Sequence, residues 1–504
     1  MKKIVVGKHT LESLTTGMYA DPFVIYREYI QNAADAIDAA VENGILKRDE
    51  SEIIIDINVD DRSIMIYDNG LGVKSSIAEK TLVSIGNSKK KANLSRGFRG
   101  IGRLSALSYC GRLIFETSYY KENSGTRIVF DADKLSDILL SNEKEEMDVS
   151  SVLKEIYTIE TFKERVNKHY FRVIMEDVNN SSGLLVVKDV MDYISQNAPV
   201  PYDAKEFAWG KEITKRLGNE GYSLISYSIK VNAGPISHAI YKPYKDSFLV
   251  DKSKNLTDSI HDIEIVKITD GRNKLSGIGW IGKTNYRGSI YDRAVKGIRL
   301  RKGNIQIGDG HTLNSAFKDA RFNGWAIGEI FASDLKLIPN ARRDNFEKNE
   351  TYFAFMEQVT GIASGISKDI RSASVARNTK LSGAIEKAEE VVETVDAEIS
   401  KGVSGSKKGA VTQKIKKIRK TVSETKAGDL EEQYYKEIAF EELDMLIGRL
   451  QGATNYKAIN TLSTLTKTEK KILERVFNVI VGSGSKNATK MIELILDEFS
   501  GHNF

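Results

Sequence analysis

All six prolines of this chain, Pro22, Pro199, Pro201, Pro235, Pro243 and Pro339, lie at or before position 339. A proline inside a helix removes a backbone donor and clashes with the preceding turn, so it stops or kinks the helix. From residue 340 to Phe504 nothing of this kind interrupts the chain, and long helices are expected there. Before that point, runs with the two-residue period of strands alternate with helical patterns. These runs are Ser51 to Val59, Ser63 to Tyr67, Arg112 to Thr117, Arg127 to Phe130 and Tyr170 to Met175. The fold class expected is α+β, with a helical C-terminal region.

A chain of 504 residues has the length for roughly three domains. Its 41% hydrophobic and 28% charged residues give it the balance of a protein that buries a sizeable core. Pro199 and Pro201 bracket one residue where a helical pattern stops, which sets a first boundary near 200. Residues 1–200 are expected to form one domain. Residues 201–370 would form a second, mixed α/β one, with strands at Leu224 to Val231, Ile263 to Ile268, Gly277 to Ile281 and Gly297 to Ile307. Residues 371–430 read as a helical and basic linker region, and 431–504 as a helical C-terminal domain. Leu381, Ala384, Ile385, Ala388, Val391, Val392, Val395 and Ile399 recur at three- and four-residue steps, the stripe of an amphipathic helix. Residues 401 to 420 hold eight basic residues and no acidic one. A solvated linker running into a helix accounts for them; a phosphate-contacting strip is the sharper alternative.

Several classes are excluded. A net charge of +5 is small for this length, so any contact with a polyanion must be local. The single cysteine, Cys110, rules out an intramolecular disulfide framework and a multi-cysteine zinc site. The six histidines show no HExxH spacing. No run approaches the roughly 18 consecutive apolar residues of a membrane span, and Met1 leads into no leader-like stretch. A cytoplasmic protein without a membrane span is expected.

The residues with chemistry cluster early. Asp21-Pro22 and Asn43-Gly44 bound a helix from about 22 to 43. Ile30, Ala33, Ala34, Ile37 and Val41 share one face of it, and Glu28, Asn32 and Asp35 lie opposite. Taken alone, that polar face reads as solvated, except that asparagine is a poor helix former with no cap to make at this position. A hairpin follows and ends in Asp68-Asn69-Gly70-Leu71-Gly72. Further on, Gly97, Gly100 and Gly102 open an apolar helical pattern in the order GxxGxG. That is not the Rossmann order, yet glycines before a helix N-terminus free backbone N–H groups to hold phosphate.

Together and in this order, the motifs resemble those of the GHKL ATPases, which include gyrase-type topoisomerases, the ninety-kilodalton heat-shock chaperone, MutL-type proteins and histidine kinases. The resemblance implies a Bergerat-type α/β sandwich binding ATP and Mg²⁺. Under it, Glu28 would be the general base for the attacking water, Asn32 the magnesium ligand, Asp68 the acceptor of the adenine amine and Asp35 part of the pocket wall. Gly70, Gly72, Gly97, Arg99, Gly100, Ile101 and Gly102 would complete the nucleotide site. The stretch from Thr81 to Arg96 would be its lid, with Asn87, Ser88 and Lys89 near the phosphates. The family's later glycine-threonine pair has no assigned counterpart, since Gly125-Thr126 comes early and the strand from Tyr170 lacks it.

In the second domain, Pro339-Asn340-Ala-Arg342-Arg343-Asp344 resembles the heat-shock chaperone loop whose arginine reaches the γ-phosphate. The alignment favours Arg343, with Arg342 left open. The resemblance covers about residues 1–365. It implies a homodimeric clamp acting on a protein client or partner subunit. The alternatives are a DNA-engaging clamp of the MORC or MutL kind, or the ATPase subunit of a bacterial defence complex.

Overall fold

The computed structural model describes residues 7–8, 21–84, 102–141, 147–253, 255–377, 381–401, 403, 405–427, 430–453, 465–483 and 487–501. It divides into two units, Met1–Ser367 and Lys368–Phe504.

In the first unit, helix α1 (Val24–Glu42) precedes the hairpin of β1 (Glu52–Asn58) and β2 (Ser63–Asp68). Strict alternation buries Ile53, Ile55 and Ile57 of β1 and Ile64, Ile66 and Asp68 of β2. The helix lays Ala33, Ala34 and Ile37 into the same core. The chain continues through α2 (Ser75–Val83), a 3₁₀ segment Gly102–Ser108, β3 (Arg112–Ser118), β4 (Ser124–Asp131), α3 (Ala132–Leu140), α4 (Val149–Ile156), β5 (Tyr157–Lys163), β6 (Tyr170–Glu176), α5 (Val187–Asn197), α6 (Trp209–Asn219), β7 (Ser228–Ala233) and β8 (Ile236–Ala239). All eight strands form one sheet in the order β5-β4-β3-β6-β2-β1-β7-β8.

Two expectations change here. The strand expected within the second domain, Leu224 to Val231, begins at Ser228 and pairs parallel with β1 in the first sheet. The hairpin partner covers only one edge of β1, and buried Ile229 and Val231 fit the other. Pro199 and Pro201 end α5 without separating what flanks them, because their carbonyls accept the Tyr227 and Lys242 amides. At the start of α1, Asp21 takes the Phe23 amide through Oδ1 at 3.0 Å, one turn ahead of the first helical residue, Val24.

Next come the paired strands β9 (Ser247–Asp251) and β10 (Leu256–Ser259), and then β11 (Asp262–Thr269), β12 (Leu275–Lys283), β13 (Gly297–Lys302), β14 (Ile305–Ile307) and β15 (Ile327–Ala332). The last five form a sheet in the order β11-β12-β15-β13-β14. Central β15 is buried at every residue, as a strand covered on both faces must be. Its Glu329 accepts Lys242 Nζ at 2.7 Å, Arg301 Nε and the Tyr202 hydroxyl. Burial alone would raise the pKa of that carboxyl, but Arg301 and Lys242 hold it at about 2.

A long helix, α7 (Glu350–Arg377), leads from the first unit into the second. There α8 (Ser382–Lys401), α9 (Gly405–Glu424) and α10 (Leu430–Gly452) pack pairwise. Ala388, Val395, Ile415, Val422, Leu443 and Leu450 are buried among them. Residues 405–424 thus form a helix of this bundle, the helix into which the basic stretch was expected to run. A hairpin of α11 (Lys467–Gly482) and α12 (Ala488–Gly501) closes on Leu473, Phe477 and Ile492. Among the described residues no helix is long and apolar enough to cross a membrane.

Candidate functional site

The N-terminal half of α1 is buried on all sides. Every residue from Val24 to Gln31 is buried, Glu28 included at 7% exposure. Two segments roof it. The 3₁₀ segment comes so close that a Cβ on Gly102 would lie 2.4 Å from Glu28 Oε2 and would push this carboxylate aside. Tyr29 ties the segment down by donating to the Arg103 carbonyl at 2.8 Å. Burial, with Cys110 and Glu28 nearby, holds the Tyr29 pKa well above the ordinary range, which keeps its proton for that bond.

The second roof is the loop from 339 to 346. Pro339 and Phe346 pair across its neck, the Asn340 amide donates to the Asn345 carbonyl at 2.9 Å, and the Arg343 amide donates to the Asn340 carbonyl at 3.1 Å. So tight a turn puts Arg343 in the left-handed region, φ 56, a strained state for a residue with a side chain. Its guanidinium Nε donates to Glu28 Oε1 at 3.1 Å, with the two side chains 10% and 9% exposed. Arg342 is exposed, and its carbonyl accepts Arg27 Nη2 at 3.1 Å. Loop and helix are therefore joined by adjacent arginines with different partners.

Beyond Glu28, Asn32 and Asp35 are half-buried on α1. At 4% exposure, Asp68 ends β2 beneath the helix, and its Oδ1 accepts the Gly70 amide at 2.9 Å. The Leu71 amide donates to the Ala36 carbonyl at 3.1 Å, which brings the loop after β2 against α1. Gly72 takes φ 71, and a Cβ there would sit 1.9 Å from the Ser118 carbonyl. Glu28, Asn32, Asp35, Asp68, Gly70 and Gly72 thus lie along one helix and the strand end it covers. Asn87, Ser88, Lys89, Gly97, Arg99, Gly100 and Ile101 lie outside the described residues.

Three residues here carried no sequence signal as site residues. Arg27 reads as an ordinary helix arginine. Gln31 is fully buried, and its amide oxygen and nitrogen have no hydrogen-bond partner among the described residues. Thr117 accepts the Val73 amide and donates to the Tyr170 carbonyl, both at 2.9 Å, and pairs in register with Thr126 on β4. A threonine inside a strand looks like β-propensity alone.

The chain resembles HtpG chaperones. It is 24% identical over 373 residues to the chaperone protein HtpG of Wigglesworthia glossinidia brevipalpis, a match spanning 70% of this chain and 54% of that protein. It is 27% identical over 206 residues to HtpG of Borreliella afzelii, which covers 38% of this chain and 32% of that one. With HtpG of Halalkalibacterium halodurans it shares 29% over 135 residues, 24% of this chain and 22% of the relative. The chain therefore spans about half the length, or less, of these relatives. No family model matches it.

Proposed function

We propose that this protein is a magnesium-dependent ATPase of the GHKL type, working as an ATP-gated dimeric clamp on protein clients. One observation carries the ATPase reading: a strained loop from the far end of the first unit delivers Arg343 to the buried Glu28 of α1. Residues held in sparsely populated backbone conformations cluster at active sites and ligand clamps. Similarity to HtpG supports the same reading.

In this scheme Asp68 accepts the adenine amine and Glu28 takes the proton from the attacking water. The Arg343 guanidinium turns from Glu28 toward the γ-phosphoryl oxygens, to which it can donate two parallel hydrogen bonds. That exchange frees the carboxylate when the triphosphate is in place. Asn32 stands one helical turn past Glu28 and offers a hard amide oxygen, the ligand type magnesium takes in ones and twos beside phosphate and water. Magnesium held there would neutralise phosphate charge. Coupling to a clamp follows if only the triphosphate state engages Arg343, since nucleotide turnover then shifts a two-state equilibrium.

Calorimetry with Mg-ATP and a phosphate-release assay test the scheme. Glu28→Gln should keep nucleotide affinity and lose about 10² to 10⁴ in turnover, the range of a general base. Asp68→Asn should lose affinity. Wild-type turnover in the first variant, or unchanged affinity in the second, would remove those roles.

A further inference from the structure

The second unit segregates its charge by helix. Between Gly405 and Glu424, α9 carries seven lysines or arginines and one acid, Glu424. Its two neighbours, α8 and α10, each carry six acids and two bases. Ile415 and Val422 mark the buried side of α9, and Lys414, Lys416, Lys417 and Lys420 are exposed away from it. Arg419 is occupied within the bundle: its Nε lies 2.7 Å from Asp444 Oδ1 and its guanidinium 3.9 Å from the centre of the Phe440 ring. Beside it, Lys416, Arg419, Lys420, Ser423, Asp444 and Ile447 line a cleft of about 450 Å³.

We infer that the outward face of α9 binds the phosphate backbone of duplex DNA without reading its sequence. Lysines bind phosphate as point charges, which suits contact with a backbone that is not held at one fixed geometry. The helix has no aromatic residue on which unpaired bases could stack, which argues against a single strand. Among the described residues between Gly405 and Glu424 no large apolar side chain is exposed, so the face lacks what an interfacial membrane helix inserts. The acidic helices on either side confine a polyanion to this face. Lys414 to Lys420 spans about 9 Å of helix rise, enough to follow neighbouring phosphates on one strand. The inference does not rest on the nucleotide site.

Fluorescence anisotropy of a labelled duplex of mixed sequence, titrated with the full chain over a range of salt, tests it. Four lysine contacts predict a slope of log affinity on log salt of about −3.6. The quadruple variant Lys414→Gln, Lys416→Gln, Lys417→Gln, Lys420→Gln should bind at least about tenfold more weakly at low salt, with a flattened slope and unchanged helical circular dichroism. Should that variant lose its helical signal, the four single variants are measured instead, and each should reduce the slope by about one. Equal duplex binding by folded variant and wild type would overturn the proposal. So would unchanged slopes in the single variants, or tighter binding of single strands, polyglutamate or acidic vesicles.

Discussion

Removing the Arg343 side chain tests whether the contact with Glu28 is an energetic link. The pair meets at 3.1 Å with side chains only 10% and 9% exposed. Truncating one partner of an ion pair this deeply buried leaves the other charge desolvated, at a cost of about 3 to 5 kcal/mol. Arg343→Ala should therefore destabilise the first unit by about 3 kcal/mol at least. At roughly 2.1 cal/mol/K of unfolding entropy per residue over residues 1–367, that corresponds to a fall in Tm of about 4 °C, readable by calorimetry without nucleotide. Arg343→Gly loses the same pair but relaxes the φ of 56, and should recover about 1 kcal/mol relative to alanine. In a double-mutant cycle with Glu28→Gln, the second substitution should cost much less once the first is made, a coupling of about 2 kcal/mol. If the two single effects simply add to within about 0.5 kcal/mol, the residues do not interact and the site loses its central observation.

Gly72→Ala must displace the Ser118 carbonyl, which would lie 1.9 Å from the new Cβ, while holding φ 71. It should cost about 3 kcal/mol or more and weaken ATP binding, measured by urea unfolding and calorimetry; a fully stable variant would refute that packing. Glu329→Gln leaves Lys242 and Arg301 buried without their counter-charge and should cost about 3 to 5 kcal/mol. The pH dependence has a definite sign. A carboxylate lowered from 4.5 to about 2 contributes stability above pH 4.5 and loses it as pH falls toward 2. Urea midpoints between pH 5 and 2.5 should accordingly fall less in Glu329→Gln than in wild type, and parallel curves would contradict the assignment.

Much of the secondary structure was legible because its periodicity was strong. Alternating isoleucines in β1 and β2 and the three- and four-residue stripe of α8 reappear at nearly the expected positions. Non-local pairings were not legible, since a sequence shows the face a strand buries but not which edge it joins. Thus the strand expected at Leu224 to Val231 looked like the second domain's, and Ser228–Ala233 joins the first sheet instead. The residues around Glu28 were visible as spacing, but their burial was not. Acidic residues opposite an apolar stripe normally face water, and the roof over α1 comes from 102–108 and 339–346, distant in sequence. The two adjacent arginines differ only because a turn of left-handed backbone sends one inward, something neither side chain announces.

The parallel seam between Glu52–Ile57 and Ser228–Ala233 has a cost during synthesis. At about 5 to 20 residues per second, the ribosome emits the earlier strand roughly 9 to 35 seconds before its mate, and until then one flank of an isoleucine-rich ribbon stands bare. Newly made copies are at their stickiest in that interval. Any shortened version stopping before Ser228 would keep that flank bare for good and should precipitate, so expression fragments of this protein ought to extend past Ala233.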